Sequence, residues 1–182
     1  TVVFEAADIE VPQGWSQVAV DIMAQKYFRK AGVPARLRRV AEEGVPEWLW
    51  RSEPDEVELA RLAPEQRSVG ETDSRQLFNR LAGCWTYWAW KHDYFADEAT
   101  ARVFYDELTW LCVNQHGAFN SPVWFNVGLY HEYGVGKHSD RGNWFWDPKT
   151  GKSRRADTQY EYPQGSACFI QSLRDTSPRS SS

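Results

Sequence analysis

Gln115-His116-Gly117-Ala118-Phe119-Asn120-Ser121-Pro122-Val123-Trp124-Phe125-Asn126-Val127-Gly128, followed farther on by Gln164-Gly165-Ser166-Ala167-Cys168-Phe169-Ile170, is the pair of segments on which the reading of this chain turns. Pro122 suits the first position of a short helix because its missing N–H is not needed there, and Ser121 or Asn120 can cap the exposed amides. Gly128 and Gly134 bound the stretch that follows. Ser121 therefore sits where a hydroxyl and the first helical amides converge, which suits an anion such as a phosphate, although a plain helix cap has the same sequence. Ala167 to Leu173 reads as a strand, and on its own Cys168 reads as a buried, inert cysteine.

Working outward, Trp15, Val18, Ala19, Ile22, Met23 and Tyr27 recur at three and four residues, so a helix is expected over residues 15–29, stopped by Gly32 and Pro34. Residues 33–72, rich in proline, arginine and glutamate, read as a connecting region with short helical turns. A second helix starts near Thr72 or Asp73 and carries Leu77, Phe78, Leu81, Cys84, Trp85 and Trp88 on one face, which makes Cys84 a packed small hydrophobe. A third opens at Asp97 and Glu98, with Phe104, Leu108, Leu111, Cys112 and Gln115 as its inward stripe and Gly117 as its end; the two helices form an antiparallel hairpin. Trp144-Phe145-Trp146-Asp147-Pro148-Lys149-Thr150-Gly151-Lys152 reads as a β-hairpin, with Asp-Pro starting the turn and Gly151 supplying positive φ. The polar tail, residues 174–182, cannot bury enough surface to offset its ordering entropy and reads as disordered.

With 182 residues, 42% of them hydrophobic, the chain can bury one sizeable core. Its net charge of −4 and scattered basic residues give no nucleic-acid footprint; Arg36-Leu37-Arg38-Arg39 and Lys152-Ser153-Arg154-Arg155 read as solvated faces. No apolar run or cleavable leader marks a membrane or secreted protein, and the three cysteines, Cys84, Cys112 and Cys168, contain no C-x-x-C pair, so a cytoplasmic protein with reduced thiols is expected. His92 and His116 fall at helix ends and His131 and His138 in a glycine-bounded loop; none has a metal-ligand spacing around it, and no metal site is assigned. The ten tryptophans read mainly as core.

The Phe119–Gly128 and Gln164–Ile170 blocks, with Val11-Pro12-Gln13-Gly14-Trp15-Ser16-Gln17 and Lys26-Tyr27-Phe28-Arg29, resemble the adenosylcobalamin-dependent, class II ribonucleotide reductases. The resemblance implies a chain that is mainly α, in which residues 1–173 form the N-terminal helical region and first strand of a ten-stranded α/β barrel. It implies an enzyme of the cobalamin-dependent ribonucleoside-diphosphate reductase type, with the di- or triphosphate form of the ribonucleotide substrate left open. Ser121 then contacts the substrate, as do Ala167 and Cys168, whose small surroundings let a bulky ribose approach. Cys168 donates an electron and a proton and forms a disulfide with a cysteine that neither Cys84 nor Cys112 matches, and an external dithiol such as thioredoxin regenerates it.

The resemblance also implies that adenosylcobalamin docks largely on barrel elements outside this chain, since the Asp-x-His-x-x-Gly signature of histidine-ligated cobalamin is absent. The second redox cysteine, the thiyl-bearing cysteine and the proton-shuttling asparagine and glutamate likewise belong to later barrel elements. Arg174-Asp175-Thr176-Ser177-Pro178 departs from the helix that leads to the family's dimer and effector region. A lone first strand cannot close a barrel, so the chain reads as a fragment, inactive alone, needing the remaining barrel segment or a complementary chain. The competing reading is a non-catalytic aromatic-rich module in which Trp144 and Trp146, on one face of the hairpin, stack against carbohydrate or single-stranded nucleic acid.

Overall fold

The computed structural model describes residues 8–136 and 142–165. The expected strand from Ala167, with Cys168, and the tail at 174–182 lie outside the described residues. Helix α1 (Gln17–Ile22) begins at Ser16, whose hydroxyl accepts from the Ala19 amide at 3.2 Å, and continues as a π-helical turn over Met23–Tyr27. The expected helix over 15–29 is thus present, with its second half wound wider. Met23 and Ala24 are buried there, and the chain turns extended at Phe28.

The connecting region differs from its expectation. It does contain helical turns, at Glu47–Leu49, α2 (Glu56–Ala60) and Pro64–Gln66, but it also folds into two small antiparallel sheets. In one, β1 (Val33–Pro34) pairs with β4 (Ser68–Val69); in the other, β2 (Leu37–Arg39) pairs with β3 (Ser52–Pro54). Strands of two or three residues are too short to show an alternating pattern, and they are held by partners distant in sequence, such as Arg38 ion-paired with Glu53. The chain is therefore mixed rather than mainly α, and the described residues form no closed barrel.

Helix α3 (Ser74–Lys91) starts in a reciprocal cap: Asp73 accepts from the Arg75 amide at 2.8 Å, and Gln76 Oε1 accepts from the Asp73 amide at 3.0 Å. It packs on α4 (Glu98–Val113), capped by Asp97, whose carboxylate accepts from the Thr100 amide at 2.8 Å. The inward stripe of α4 is narrower than expected. Ala101 and Cys112 are buried, whereas Phe104 and Leu111 are each 38% exposed, and Gln115 lies beyond the helix with φ 58°. The helix ends at Asn114, before Gly117, because the tight turns from His116 and Gly117 back to the Leu111 carbonyl close it.

Two short helices follow, α5 (Ser121–Asn126) and α6 (Leu129–Tyr133), the latter bounded by Gly128 (φ +82°) and Gly134 (φ +65°). The hairpin of β5 (Trp144–Asp147) and β6 (Lys152–Arg155) forms as expected, its turn held by Asp147 accepting from the Lys149 amide and the Thr150 hydroxyl, each at 3.0 Å. The main core joins α1 and its π-turn to α3, α4 and α5 through Met23, Phe28, Leu77, Phe78, Leu81 and Trp124. Cys84 is indeed packed inside it, and burial pushes its thiol far above the ordinary range.

Gly128 is held by more than its dihedral: a Cβ there would stand 2.0 Å from the Arg80 carbonyl oxygen. Gly128→Ala should therefore destabilise the fold by about 2–4 kcal/mol, read as a lower urea midpoint. Asp73→Ala, which removes only a cap, should cost about 1 kcal/mol in the same assay.

Candidate functional site

α5 carries the Asn-Ser-Pro segment, and a buried ion pair beneath it fixes where it lies. The side chains of Arg80 on α3 and Glu71 are 1% and 0% exposed, with Arg80 Nε donating to Glu71 Oε1 at 2.7 Å. The remaining guanidinium protons go to backbone oxygens: Nη1 to Val127 at 2.8 Å, Nη2 to Trp124 at 2.8 Å and, more weakly, to Tyr27 at 3.4 Å. Trp124 and Val127 flank the C-terminal end of α5, where carbonyls lack intrahelical partners, and a guanidinium answers that deficit. Glu71 in turn accepts from the Arg29 amide at 2.7 Å and the Tyr133 hydroxyl at 2.8 Å. Burial and the Glu71 carboxylate hold the Tyr133 phenol protonated, well above its ordinary value.

The N-terminal end of α5 is more open. Asn120, not Ser121, is the cap, and its side chain accepts from the Val123 amide at 3.4 Å. Ser121 is the first helical residue, Pro122 follows as the second, and the Ser121 side chain is exposed. The Val123 and Trp124 amides already donate to the Asn120 carbonyl and Pro122 has no amide proton, so the convergence of free amides on Ser121 expected from sequence is largely absent. What Ser121 offers is its hydroxyl.

The second motif block approaches the same helix. Tyr162 lies in the segment after the hairpin, stacked between Phe145 (centroids 3.9 Å) and Trp88 of α3 (6.2 Å, 7° between planes). From there the chain reaches α5: Asn126 Nδ2 donates to the Gln164 carbonyl at 3.4 Å, and a Cβ at Gly165 would stand 3.6 Å from Val123 Cγ2. Ser121 and the run leading to Cys168 thus meet on one helix; Ala167 and Cys168 themselves lie outside the described residues. On the other side of α5, the loop before it is pinned by Trp124 Nε1 donating to Phe119 O at 2.8 Å and by Trp85 edge-on to Phe119 at 4.5 Å. An apolar cavity of about 310 Å³ lies there, lined by Trp15, Tyr27, Phe78, Gln115, Phe119 and Trp124.

The sequence reading missed Arg80 and Glu71. Arg80 lies between Leu77 and Cys84 on the apolar side of α3, and a charge on that stripe was the available signal. His92 and His116 do follow helix ends, but His131 is buried within α6 rather than in a loop, its Nε2 3.0 Å from the Leu49 carbonyl. The described residues contain no group of three His, Cys, Asp or Glu that could hold a metal, and no helix among them is long and apolar enough to cross a membrane. Trp144 and Trp146 are 72% and 63% exposed on one face of the hairpin, which gives the alternative reading its geometry.

Removing one partner of the buried pair strands a charge. Arg80→Met or Glu71→Leu alone should cost about 3–5 kcal/mol. In equilibrium unfolding the double variant should lose clearly less than the sum, because neither charge is then left unpaired.

Comparison with known proteins supplies the family. A family profile described as "Class II vitamin B12-dependent ribonucleotide reductase" matches residues 1–115. Proteins named vitamin B12-dependent ribonucleotide reductase from Bradyrhizobium diazoefficiens and Agrobacterium fabrum are each 51% identical to it over 175 residues, 96% of this chain and 14% of the relative. One of the same name from Rhodopirellula baltica is 41% identical over 172 residues, 94% of this chain and 13% of the relative. The chain thus spans about one-seventh of these relatives' length. With the Asn-Ser-Pro helix and the Gln164-Gly165 run already adjacent, these matches establish that the chain belongs to the class II vitamin B12-dependent ribonucleotide reductase family.

Proposed function

We propose that this chain supplies part of the substrate site, and the first redox thiol, of a reductase that converts ribonucleotides to deoxyribonucleotides by adenosylcobalamin-initiated radical chemistry. The observation that carries the reading is the meeting of the two motif blocks at α5, through Asn126 and Gln164 and through Val123 and Gly165. In this reading the Ser121 hydroxyl binds the nucleotide, and the backbone of Ala167 and Cys168 flanks its ribose. Cys168 gives an electron and a proton and pairs with a second cysteine. Neither Cys84 nor Cys112 suits that part, since both are buried in the core and burial pushes both thiols upward. Reduction of the resulting disulfide falls to an external dithiol of the thioredoxin kind, in keeping with a cytoplasmic setting where thiols stay reduced.

The described residues do not form a cradle for cobalamin. The apolar cavity beside α5, at about 310 Å³, matches the low end of small-molecule pockets and is far too small for a corrin. Of the histidines, His131 is buried and already bonded to the Leu49 carbonyl. The cofactor, which would supply the radical, is accordingly assigned to other parts of the whole reductase, and this chain alone is expected to be inactive.

The assignment is tested in the complete reductase. Cys168→Ser should abolish multiple turnover with a dithiol reductant while nucleotide binding stays within about threefold, a change of under 1 kcal/mol. Sustained turnover in that variant would remove the thiol's role. Ser121→Ala should raise KM about tenfold, the size of one lost hydrogen bond to a charged group, with kcat little altered.

A further inference from the structure

The outer face of the hairpin is used by neither the core nor the α5 site. Side chains alternate along β5: Phe145 points inward, stacked on Tyr162 with 3.9 Å between centroids, while Trp144 and Trp146 point outward, 72% and 63% exposed. The register sets Trp144 opposite Arg155 and Trp146 opposite Ser153, so a guanidinium and a hydroxyl stand beside the two indoles. Every residue of β6 is exposed as well.

This face is preformed. Asn143 Nδ2 donates to the Tyr162 and Gln159 carbonyls at 2.8 and 3.2 Å, and Arg155 Nε donates to the Gly142 carbonyl at 3.1 Å. On the inner face Arg154 pairs with Asp147 at 3.1 Å. Tryptophan and arginine are the residue types that dominate the energetics of protein interfaces, and holding them in place beforehand lowers the ordering cost of docking. Each indole can bury roughly 150–250 Å² when covered.

Charge and position in the chain indicate what covers this face. A nucleic-acid strand needs cations that track its phosphates, whereas the chain has a net charge of −4 and Arg154 is already paired with Asp147. An apolar polypeptide surface with a carboxylate at its edge suits two indoles and one guanidinium. Such a surface is close at hand if it lies on the same polypeptide. After the hairpin, Tyr162 stacks between Phe145 and Trp88 and the chain passes onto α5, where Asn126 meets Gln164, so the hairpin is joined without slack to the site that later segments complete. This chain spans about one-seventh of its relatives, and a covalently tethered partner acts at an effective concentration of about millimolar.

We propose that the outer face of the hairpin docks on a later segment of the same reductase polypeptide, with Trp144 and Trp146 against an apolar surface and a carboxylate of that segment facing Arg155. The inference rests on the reading of this chain as one part of a longer reductase, and adds where that part is held to the rest.

Hydroxyl-radical footprinting of the complete reductase, read by mass spectrometry at Trp144 and Trp146, tests the docking against a synthetic peptide of residues 142–149. Both indoles should oxidise at least about tenfold more slowly in the reductase than in the peptide, as covered interface anchors do, and at nearly the peptide's rate in the 182-residue chain. Oxidation in the reductase as fast as in the peptide, or equal protection in the 182-residue chain, would overturn the proposal. So would protection that vanishes on dilution, which assigns the face to a second copy, or that appears only with an added thymidine oligonucleotide or oligosaccharide, which assigns it to that ligand. Trp144→Ser combined with Trp146→Ser should speed tryptic cleavage at Lys152 and Arg155 in the reductase about tenfold, and leave the urea midpoint of the 182-residue chain unchanged. Unchanged cleavage, or a lowered midpoint in the short chain, would overturn it too. None of these readouts needs turnover. A reductase that loses turnover in Cys168→Ser yet exposes both indoles sinks only the docking; one that shields them while Cys168→Ser still turns over sinks only the redox assignment.

Discussion

A guanidinium that meets one carboxylate and three backbone carbonyls, all out of reach of water, organises this molecule. Arg80 and Glu71 are both charged groups in the interior, and such a pair is tolerable only when the surplus protons and lone pairs also find partners. Here they do. The guanidinium ties the end of α5 and the end of the π-turn to α3, while the carboxylate ties down the Arg29 amide and the Tyr133 hydroxyl. Four separate stretches of chain are held to one another by two side chains. The close passage of Gly128 over the Arg80 carbonyl follows from the same arrangement, since any side chain there would push α5 and α6 off the pair.

The functional consequence is a division of labour along α5. Its C-terminal end is fixed by Arg80 and its flank by the apolar packing of Trp124 against Phe78, Tyr27 and Phe119, so the hydroxyl-bearing first turn projects from a rigid base. The hairpin serves the same end from the other direction. Phe145 and Trp88 sandwich Tyr162, and that stack steers the following residues onto α5. Positional precision of this kind is what a site for oriented chemistry requires, because small displacements of a binding group cost disproportionately in rate.

Much of the local architecture was legible from residue order. The cap expected at Thr72 or Asp73, which fell to Asp73, the Asp97 start of α4, the glycines bounding α6 and the Asp-Pro turn of the hairpin all act through neighbours in sequence, and all formed where expected. The misses share a different character. β1 to β4 are too short to carry a pattern and exist only through pairing across the chain. The face of α4 was misjudged because periodicity identifies a stripe without saying how much of it a neighbour covers, and Phe104 and Leu111 remain partly open to solvent. The cap of α5 is not among the misses: residue order left Asn120 and Ser121 open, since either side chain satisfies the rule, and backbone geometry chose Asn120.

Residue order therefore determined the family, the helices with strong caps, the hairpin and the two motif blocks, because these depend on contacts within a few positions or on signatures specific enough to stand alone. Folding decided that Arg80, hidden in the apolar stripe of an ordinary amphipathic helix, would become the anchor of α5, and that Gln164 and Gly165 would come to rest against Asn126 and Val123. Such contacts join positions far apart in the chain, and their energies come from burial and desolvation, which exist only once the surrounding elements have closed around them.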